Sequence, residues 1–365
     1  MGKGISIFLG MNYSLKENKN YIMKAKKEGF SSVFTSLHIP EADYENAINE
    51  FREIAELSKS LDMNIIADIS PRAFEYLHSD MNNLGAIKEL GVYGIRVDFG
   101  FSAQEIASFT KNPYGLMIEI NASTVTKKFL EELHSYNPEY SRLQACHNYY
   151  PRLNTGISVD TMLKKNIMLK NRGMKVSAFI PSLVNKRGPI YEGLPTLERH
   201  RFLKPEISAK HLYALGLDDV IFGDSIPSTE EIEAVGRVNE KALQLSIELL
   251  NPSELENKII FEHIHENRPD SAEDVVRSTS SRLVLKGNNS IIPHDNIART
   301  KGCVTIDNCK YLRYCGELQV CKRDLEPDNR VNVVGKVVDE ELFLIDFIED
   351  ESRFEFITTS INEVF

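Results

Sequence analysis

The sequence predicts an α/β protein, a (β/α)8 TIM barrel followed by a smaller, mostly β domain. Three observations predict it. Eight short apolar or β-branched runs recur within the first 225 residues, mostly with helical patterns between them. Several of those runs end in acid, amide or imidazole, which is where a barrel of this class keeps its chemistry. Beyond Asn251-Pro252 the rhythm gives way to strands separated by turns.

The eight runs are GISIFLG (4–10), SSVFTSL (31–37), NIIADIS (64–70), GIRVDFG (94–100), GLMIEINAS (115–123), RLQACHNYY (142–150), KVSAFIPS (175–182) and DDVIFGDS (218–225). After the first, SLKENKNYIMKAKKEGF has helical spacing and stops at Gly29, a natural C-cap. ADYENAINEFREIAELSKSLDM is amphipathic. SPRAFEYL and NNLGAIKELGV supply a helical turn and a helix, SAQEIASFTKN a short helix, and TVTKKFLEELH (124–134) another. The seventh run leads into a long Gly-, Pro- and Arg-rich segment, LVNKRGPIYEGLPTLERHRFLKP, read as an active-site loop with a short helix. TEEIEAVGRVNEKALQLSIEL then closes the barrel as its last helix. A doubly wound sheet is the competing architecture, but it usually stops near six strands and no GxGxxG turn is present.

The expected domains are 1–250, the catalytic barrel, and 258–365, a compact β domain. Its strands are read in KIIFEHIHEN, SRLVLKG, GCVTIDN, GELQVCKR, RVNVVGKVV and ELFLIDFI. A formal charge of −10 argues against a protein that works by neutralising nucleic-acid phosphates. No apolar run approaches the roughly 18 residues of a membrane span, and the N-terminus reads as a first strand rather than a signal peptide. The expected location is the cytoplasm. Four of the five cysteines, Cys303, Cys309, Cys315 and Cys321, fall at six-residue spacing, which does not make zinc knuckles. They are read as reduced thiols, with neither metal nor cofactor expected.

Alternation decides which strand residues face the barrel axis. Arg96 and Asp98 share one face of strand four, with Ile95, Val97 and Phe99 on the other. Asp68 points inward at similar height on strand three. Glu119 sits one layer deeper on strand five, as a partner for Arg96, and Asn121 follows it. Asn148 lies near the mouth on strand six, with Tyr149, Tyr150 and Arg152 in the loop. Strand eight ends in Asp224. Strand two ends in Ser36 and His38, with Glu41 just beyond. The mouth is thus lined by Glu41, Asp68, Asp98 and Asp224 with Asn121 and Asn148, a crowd of carboxylates that cannot all ionise cheaply.

Three chemistries fit such a ring: glycoside hydrolysis with an acid and a carboxylate, a divalent metal site, or base-catalysed isomerisation or cleavage. No strand end carries a lysine for a Schiff base. Plainer readings stand beside these. Arg96 with Glu119 makes a satisfied core pair, His38 a hydrogen bond to loop backbone, His147 a structural contact with the helix layer. In the second domain, STSSR offers hydroxyls and Arg282 to a phosphate, or simply surface charge.

The combination of motifs resembles one bacterial family. GISIFLG, SLHIPE, ADISP, RVDFG and NAST carry the likeness through the first half. HNYYPR, RGPIYEGLPTLERHR, GD at 223–224, RPD with VVRSTSSR, YLRYCGELQV and DNRVNVVGKV carry it through the rest. The chain resembles the MupG-type 6-phospho-N-acetylmuramidases. The resemblance implies a TIM barrel with a C-terminal cyclophilin-like β-barrel domain, and a cytoplasmic glycosidase in cell-wall sugar recovery. The implied reaction cleaves 6-phospho-N-acetylmuramyl-β-1,4-N-acetylglucosamine to N-acetylmuramic acid 6-phosphate and N-acetylglucosamine. It places the catalytic carboxylates at Glu41, Asp68, Asp98 and Asp224, with Glu41 as acid and Asp98 as its partner the favoured pair. Inward side chains two strands apart approach at roughly 5–9 Å, an interval that spans retaining and inverting geometries; assistance by the substrate acetamido group is a third route. Arg152, Arg187 and Arg282 are the expected cations for phosphate and lactyl carboxylate, and His38, Asn121, Asn148 and Tyr150 the expected sugar contacts. The alternatives are a metal-dependent sugar-phosphate isomerase or lyase and a non-catalytic sugar-phosphate binder. A homodimer is the base-rate oligomer.

Overall fold

The computed structural model describes residues 2–11, 13–36, 44–71, 74, 83–285 and 290–358. The chain divides into two compact units, Met1–Val238 and Asn239–Phe365.

The first unit is a closed barrel of eight parallel strands in chain order. They are β1 (Gly2–Ile7), β2 (Ser32–Ser36), β3 (Asn64–Ile69), β4 (Gly94–Val97), β5 (Met117–Asn121), β6 (Leu143–Cys146), β7 (Val176–Ile180) and β8 (Asp219–Phe222). All eight expected runs hold strands, each shorter than its run. Register explains the polar interior. Ser36, Asp68, Arg96, Glu119 and Gln144 are successive lateral partners across β2 to β6. In parallel pairing, lateral partners point to the same side, so this row faces the axis. The alternate residues, such as Ile65, Ala67, Ile95, Ile118 and Ala145, are fully or nearly fully buried against the helices. The helices between strands begin at side-chain caps: Ser14 with Glu17 and Ser102 with Glu105 form capping boxes, and Thr126 caps Lys127–Ser135.

The segment 229–249, expected as one closing helix, is two elements. A capping box of Ser228 and Glu231 starts a helix at Thr229 that ends at Gly236. Leu243–Leu249 is a strand, β9, of the second unit. Leu243, Leu245 and Ile247 are buried while Gln244 and Ser246 are half-buried, so the period of LQLSIEL is two, not 3.6.

The second unit carries a seven-stranded sheet in the order β10-β15-β9-β14-β12-β13-β11. The remaining strands are β10 (His265–Glu266), β11 (Val275–Arg277), β12 (Cys303–Asp307), β13 (Leu318–Cys321), β14 (Val331–Val337) and β15 (Arg353–Thr358). The two end strands are linked by a bridge between Asn267 and Ser278, so the sheet nearly closes on itself. Three expected strands are otherwise. KIIF lies in the helix Glu254–Phe261, started by a Ser253/Glu256 capping box, and only the following His265–Glu266 is extended. SRLV and DEELFLIDF form 3-10 helices. In the latter, Glu341, Leu344 and Ile345 are the buried residues, a helical spacing hidden inside an apolar run.

Candidate active site

Arg96 is the hub of the polar row. It is 3% exposed. Its Nη1 donates to Asp68 Oδ1 over 3.2 Å, and its Nη2 reaches Asp98 Oδ1 at 3.4 Å and donates to Asn148 Oδ1. Asn121 Nδ2 donates to the same Asp98 oxygen at 2.5 Å, and Asn121 Oδ1 accepts from Ser123 N. The neighbouring acids raise the Arg96 pKa, so the guanidinium stays charged despite burial. Four of the expected site residues, Asp68, Asp98, Asn121 and Asn148, therefore meet around one cation.

The expected core pair of Arg96 with Glu119 takes a different form. Glu119 Oε1 stands 3.9 Å from Arg96 Nε without a hydrogen bond, and its Oε2 accepts from Gln144. Burial outweighs the nearby charge and pushes the Glu119 carboxyl up to about 7. His147 behaves as expected of a structural residue. It is fully buried between Ser123 Oγ and Asn166 Oδ1, and burial pushes its imidazole down to about 4.

The other half of the barrel interior is aromatic. Phe8, Phe34 and Phe179 cluster with Cys146 and Ile221, and Tyr149 packs edge-on against all three rings. Arg187 joins this wall. Its guanidinium carbon lies 4.1 Å over the Phe8 ring centre and 5.0 Å from that of Tyr149, and its Nη1 donates to the Tyr149 hydroxyl. Among the described residues no carboxylate forms an ion pair with Arg187. Tyr149 was legible as a loop residue; its inward aromatic role was not, because the chain irregularity after β6 breaks the alternation.

Asp224 does not join the Arg96 cluster. It is fully buried, and its oxygens accept the backbone N–H groups of Ser182, Arg187 and Leu194. Burial raises its pKa against the lowering pull of those amides. Its role is to staple the loop after β7 to the end of β8. Gly223 makes room for this: a Cβ there would lie 2.4 Å from Leu194 O. Glu231 adds a second staple, accepting from Ser182 Oγ and Leu183 N. Fully buried Arg201 adds a third. It pairs with Glu198 at 2.7 Å and donates to the carbonyls of Tyr150 and Arg152. This pairing, first of several causes, holds the Glu198 carboxyl down at about 2.

Tyr150 is half-buried and Arg152 exposed, each fixed through its backbone. Arg282 lies in the second unit, 3.8 Å from Glu317, which also holds Arg277 at 3.0 Å. Arg268 and Lys301 likewise pair with Asp270 and Asp346. His265 is buried against Ser278 and Ile260 O. His38 and Glu41 lie outside the described residues. Among the described residues, no group of three or more His, Cys, Asp or Glu side chains gathers as a metal site.

The comparisons with known proteins follow the same division. The N-terminal region of the 6-phospho-N-acetylmuramidases matches residues 3–237, and their C-terminal region matches residues 243–357. The chain belongs to the 6-phospho-N-acetylmuramidase family. It is thus an enzyme, a glycosidase whose family implies an amino-sugar phosphate substrate. It is similar to an uncharacterized B. cereus protein of known crystal structure, at 35% identity over 98% of this chain and 99% of that one, with a TM-score of 0.86. A conserved Enterococcus faecalis protein of unknown function is 34% identical over 99% of this chain and 97% of that one, with a TM-score of 0.70. Curated proteins give no match.

Proposed function

We propose that this 6-phospho-N-acetylmuramidase works in the cytoplasm on 6-phospho-N-acetylmuramyl-β-1,4-N-acetylglucosamine, releasing N-acetylglucosamine and N-acetylmuramic acid 6-phosphate for cell-wall sugar recovery. One observation supports this reading best. The same end of the barrel carries a pair of carboxylates held by Arg96 and an arginine, Arg187, that forms no ion pair with a carboxylate among the described residues. A glycosidase needs the first, and an anionic sugar needs the second. Asp98 is the partner carboxylate, oriented by Asn121 and Arg96; Glu41, from its place after β2, is the acid. Asp68 shares the Arg96 guanidinium and orients the cluster. Arg187 takes the phosphate or the lactyl carboxylate. The aromatic wall of Phe8, Phe34, Phe179 and Tyr149 supplies the apolar surface on which a sugar face packs. The C-terminal unit is read as a cyclophilin-like β barrel, and no isomerase activity follows from that likeness.

The test is incubation of the purified protein with the phosphorylated disaccharide and its unphosphorylated counterpart, each with and without chelator. Release of N-acetylglucosamine from the phosphorylated form alone, unaffected by chelator, supports the reading. No release refutes it, and loss of activity on chelation moves the chemistry to a metal-dependent reaction.

A further inference from the structure

Barrels of this class usually fill their interior with layers of branched apolar side chains. Here the floor is different. A cavity of about 220 Å3 opens among the first residues of the strands, with Ser32, Asn64, Gln144, Ser177 and Asp219 on its walls. Glu119 forms part of its lining. That carboxyl is 2% exposed, and its Oε1 has no hydrogen-bond partner among the described residues. Above it, Arg96 Nε is likewise buried and unpartnered, 3.9 Å away. A polar space of this size admits several waters, each able to find the two to four partners it needs.

We propose that Glu119 is a positioning residue acting through Arg96: it gains and loses a proton through the floor cavity, and its charge sets how much of the Arg96 guanidinium remains for Asp68 and Asp98. This deepens the hydrolase reading and rests on it for the functional consequence. The proton step is simple: the Glu119 carboxyl releases its proton to water in the cavity, leaving a carboxylate beside Arg96 Nε.

The groups facing Glu119 fix the direction of the effect. Arg96 on β4 favours its ionised form. Asp68 on β3 and Asp219 on β8 oppose it, and Cys146 on β6 is held as a neutral thiol, largely by burial. Lys175 and Tyr93 stand at the cavity wall. With burial dominating, the carboxyl is neutral in mildly acidic solution and ionised above about 7. Ionised Glu119 adds a third negative charge around one guanidinium. A substrate carrying phosphate and carboxylate then meets a more negative barrel, and its binding weakens.

The experiment has two arms. In the first, steady-state kinetics on the phosphorylated disaccharide are measured from about pH 5.5 to about pH 8.5 for the wild type, Glu119→Gln and Glu119→Asp. The expected result is a rise in KM of about tenfold through neutrality in the wild type. That rise is absent in Glu119→Gln and kept, with a moved midpoint, in Glu119→Asp. Phosphate titration of the substrate is common to all three proteins and cancels in the comparison. In the second arm, carboxyl-carbon NMR of the free protein follows Glu119 and Asp98, assigned by loss of each signal in Glu119→Gln and Asp98→Asn. The expected result is a shift of the Asp98 signal with the Glu119 midpoint, lost in Glu119→Gln. A Glu119 signal that does not titrate, or an Asp98 shift that survives Glu119→Gln unchanged, overturns the proposal. So does a KM profile identical in wild type and Glu119→Gln. The NMR arm needs no substrate, so failure of the hydrolase reading and failure of this one are separable.

Discussion

The Tyr149 hydroxyl accepts a hydrogen bond from Arg187 Nη1 over 3.1 Å, while the guanidinium carbon lies 4.1 Å from the Phe8 ring centre. Two aromatic rings, one of them the phenol, thus fix a cation with which no carboxylate among the described residues forms an ion pair. Fixing without neutralising is what an anion receptor requires, since an acid partner would have to be displaced before substrate could bind.

Arg187→Ala should lower kcat/KM for the phosphorylated disaccharide by about 10- to 100-fold, mainly through KM. Arg187→Lys should recover only part, because an ammonium group neither stacks on Phe8 nor presents a planar fork. Tyr149→Phe should give a smaller loss than Arg187→Ala, since the ring contact with Arg187 survives. Kinetics on phosphorylated and unphosphorylated substrates check this. An equal effect on both would exclude Arg187 from phosphate recognition and leave it to the lactyl carboxylate that both substrates carry; no effect on either would remove it from anion recognition.

Asp98→Asn should lower kcat by about 10²- to 10⁴-fold, the usual worth of a positioned acid or base, with little change in thermal stability. The Arg96 side chain, 4% exposed, keeps its ion pair with Asp68 at 3.2 Å, so the change leaves no deeply buried charge unpaired. Asn121→Ala should cost less, because Arg96 still contacts the Asp98 oxygen at 3.4 Å. A Tm measured beside kcat distinguishes lost chemistry from lost folding; wild-type kcat in Asp98→Asn would exclude it from the reaction.

Alternation on β4 and β5 was enough to place Arg96, Asp98, Glu119 and Asn121 on the inner face, and counting strands placed Asp68 beside them. Three things were hidden. Asp224 reads as one more mouth acid, yet its oxygens are taken by backbone N–H groups of a loop 30 to 42 residues upstream. Hydrogen bonds to a loop backbone leave no pattern in side-chain types. Arg201, within LERHR, looks like solvated charge and is instead fully buried. In the second unit, β15 was missed because its pairing partner is distant in sequence, Phe354 lying opposite Leu243, and β9 because its period of two was read as helical.

Arg201→Ala should be among the most damaging single changes in the barrel. It strips Glu198 of its ion-pair partner and leaves the Gly193 and Tyr150 carbonyls without their donor, while the Arg152 carbonyl keeps Thr155 Oγ1. Glu198 is 29% exposed and keeps the N–H groups of Asn154 and Gly156, so the cost, about 2–5 kcal/mol, comes from the carbonyls left unsatisfied and the space left by a fully buried side chain. Arg201→Lys should not rescue it, since one ammonium group cannot span those acceptors. Urea unfolding measures the loss. A change under about 1 kcal/mol would show that the loop does not depend on this staple.

Acid should destabilise the protein through its buried histidines. Burial depresses His147 to about 4, His211 to about 3 and His265 to about 4, and lowers fully buried His200, which shares a 2.8 Å hydrogen bond with His211. Each starts from 6.5 in the unfolded chain. Between these limits the unfolded state binds more protons, so stability is present above about 6.5 and drains as pH falls towards 4. Glu119 acts with the opposite sign: its folded carboxyl keeps its proton from 4.5 up to about 7, so its contribution fades as pH rises through that window. Asp307, pushed up to about 7 by burial, and Asp224 and His294, also raised, act as Glu119 does, so the fall on acidification carried by the imidazoles is read as a difference between variants. His147→Asn should flatten that fall by up to about 1.4 kcal/mol per pH unit, the slope due to one proton. A stability difference between wild type and His147→Asn that does not change with pH would contradict the neutral state assigned to His147.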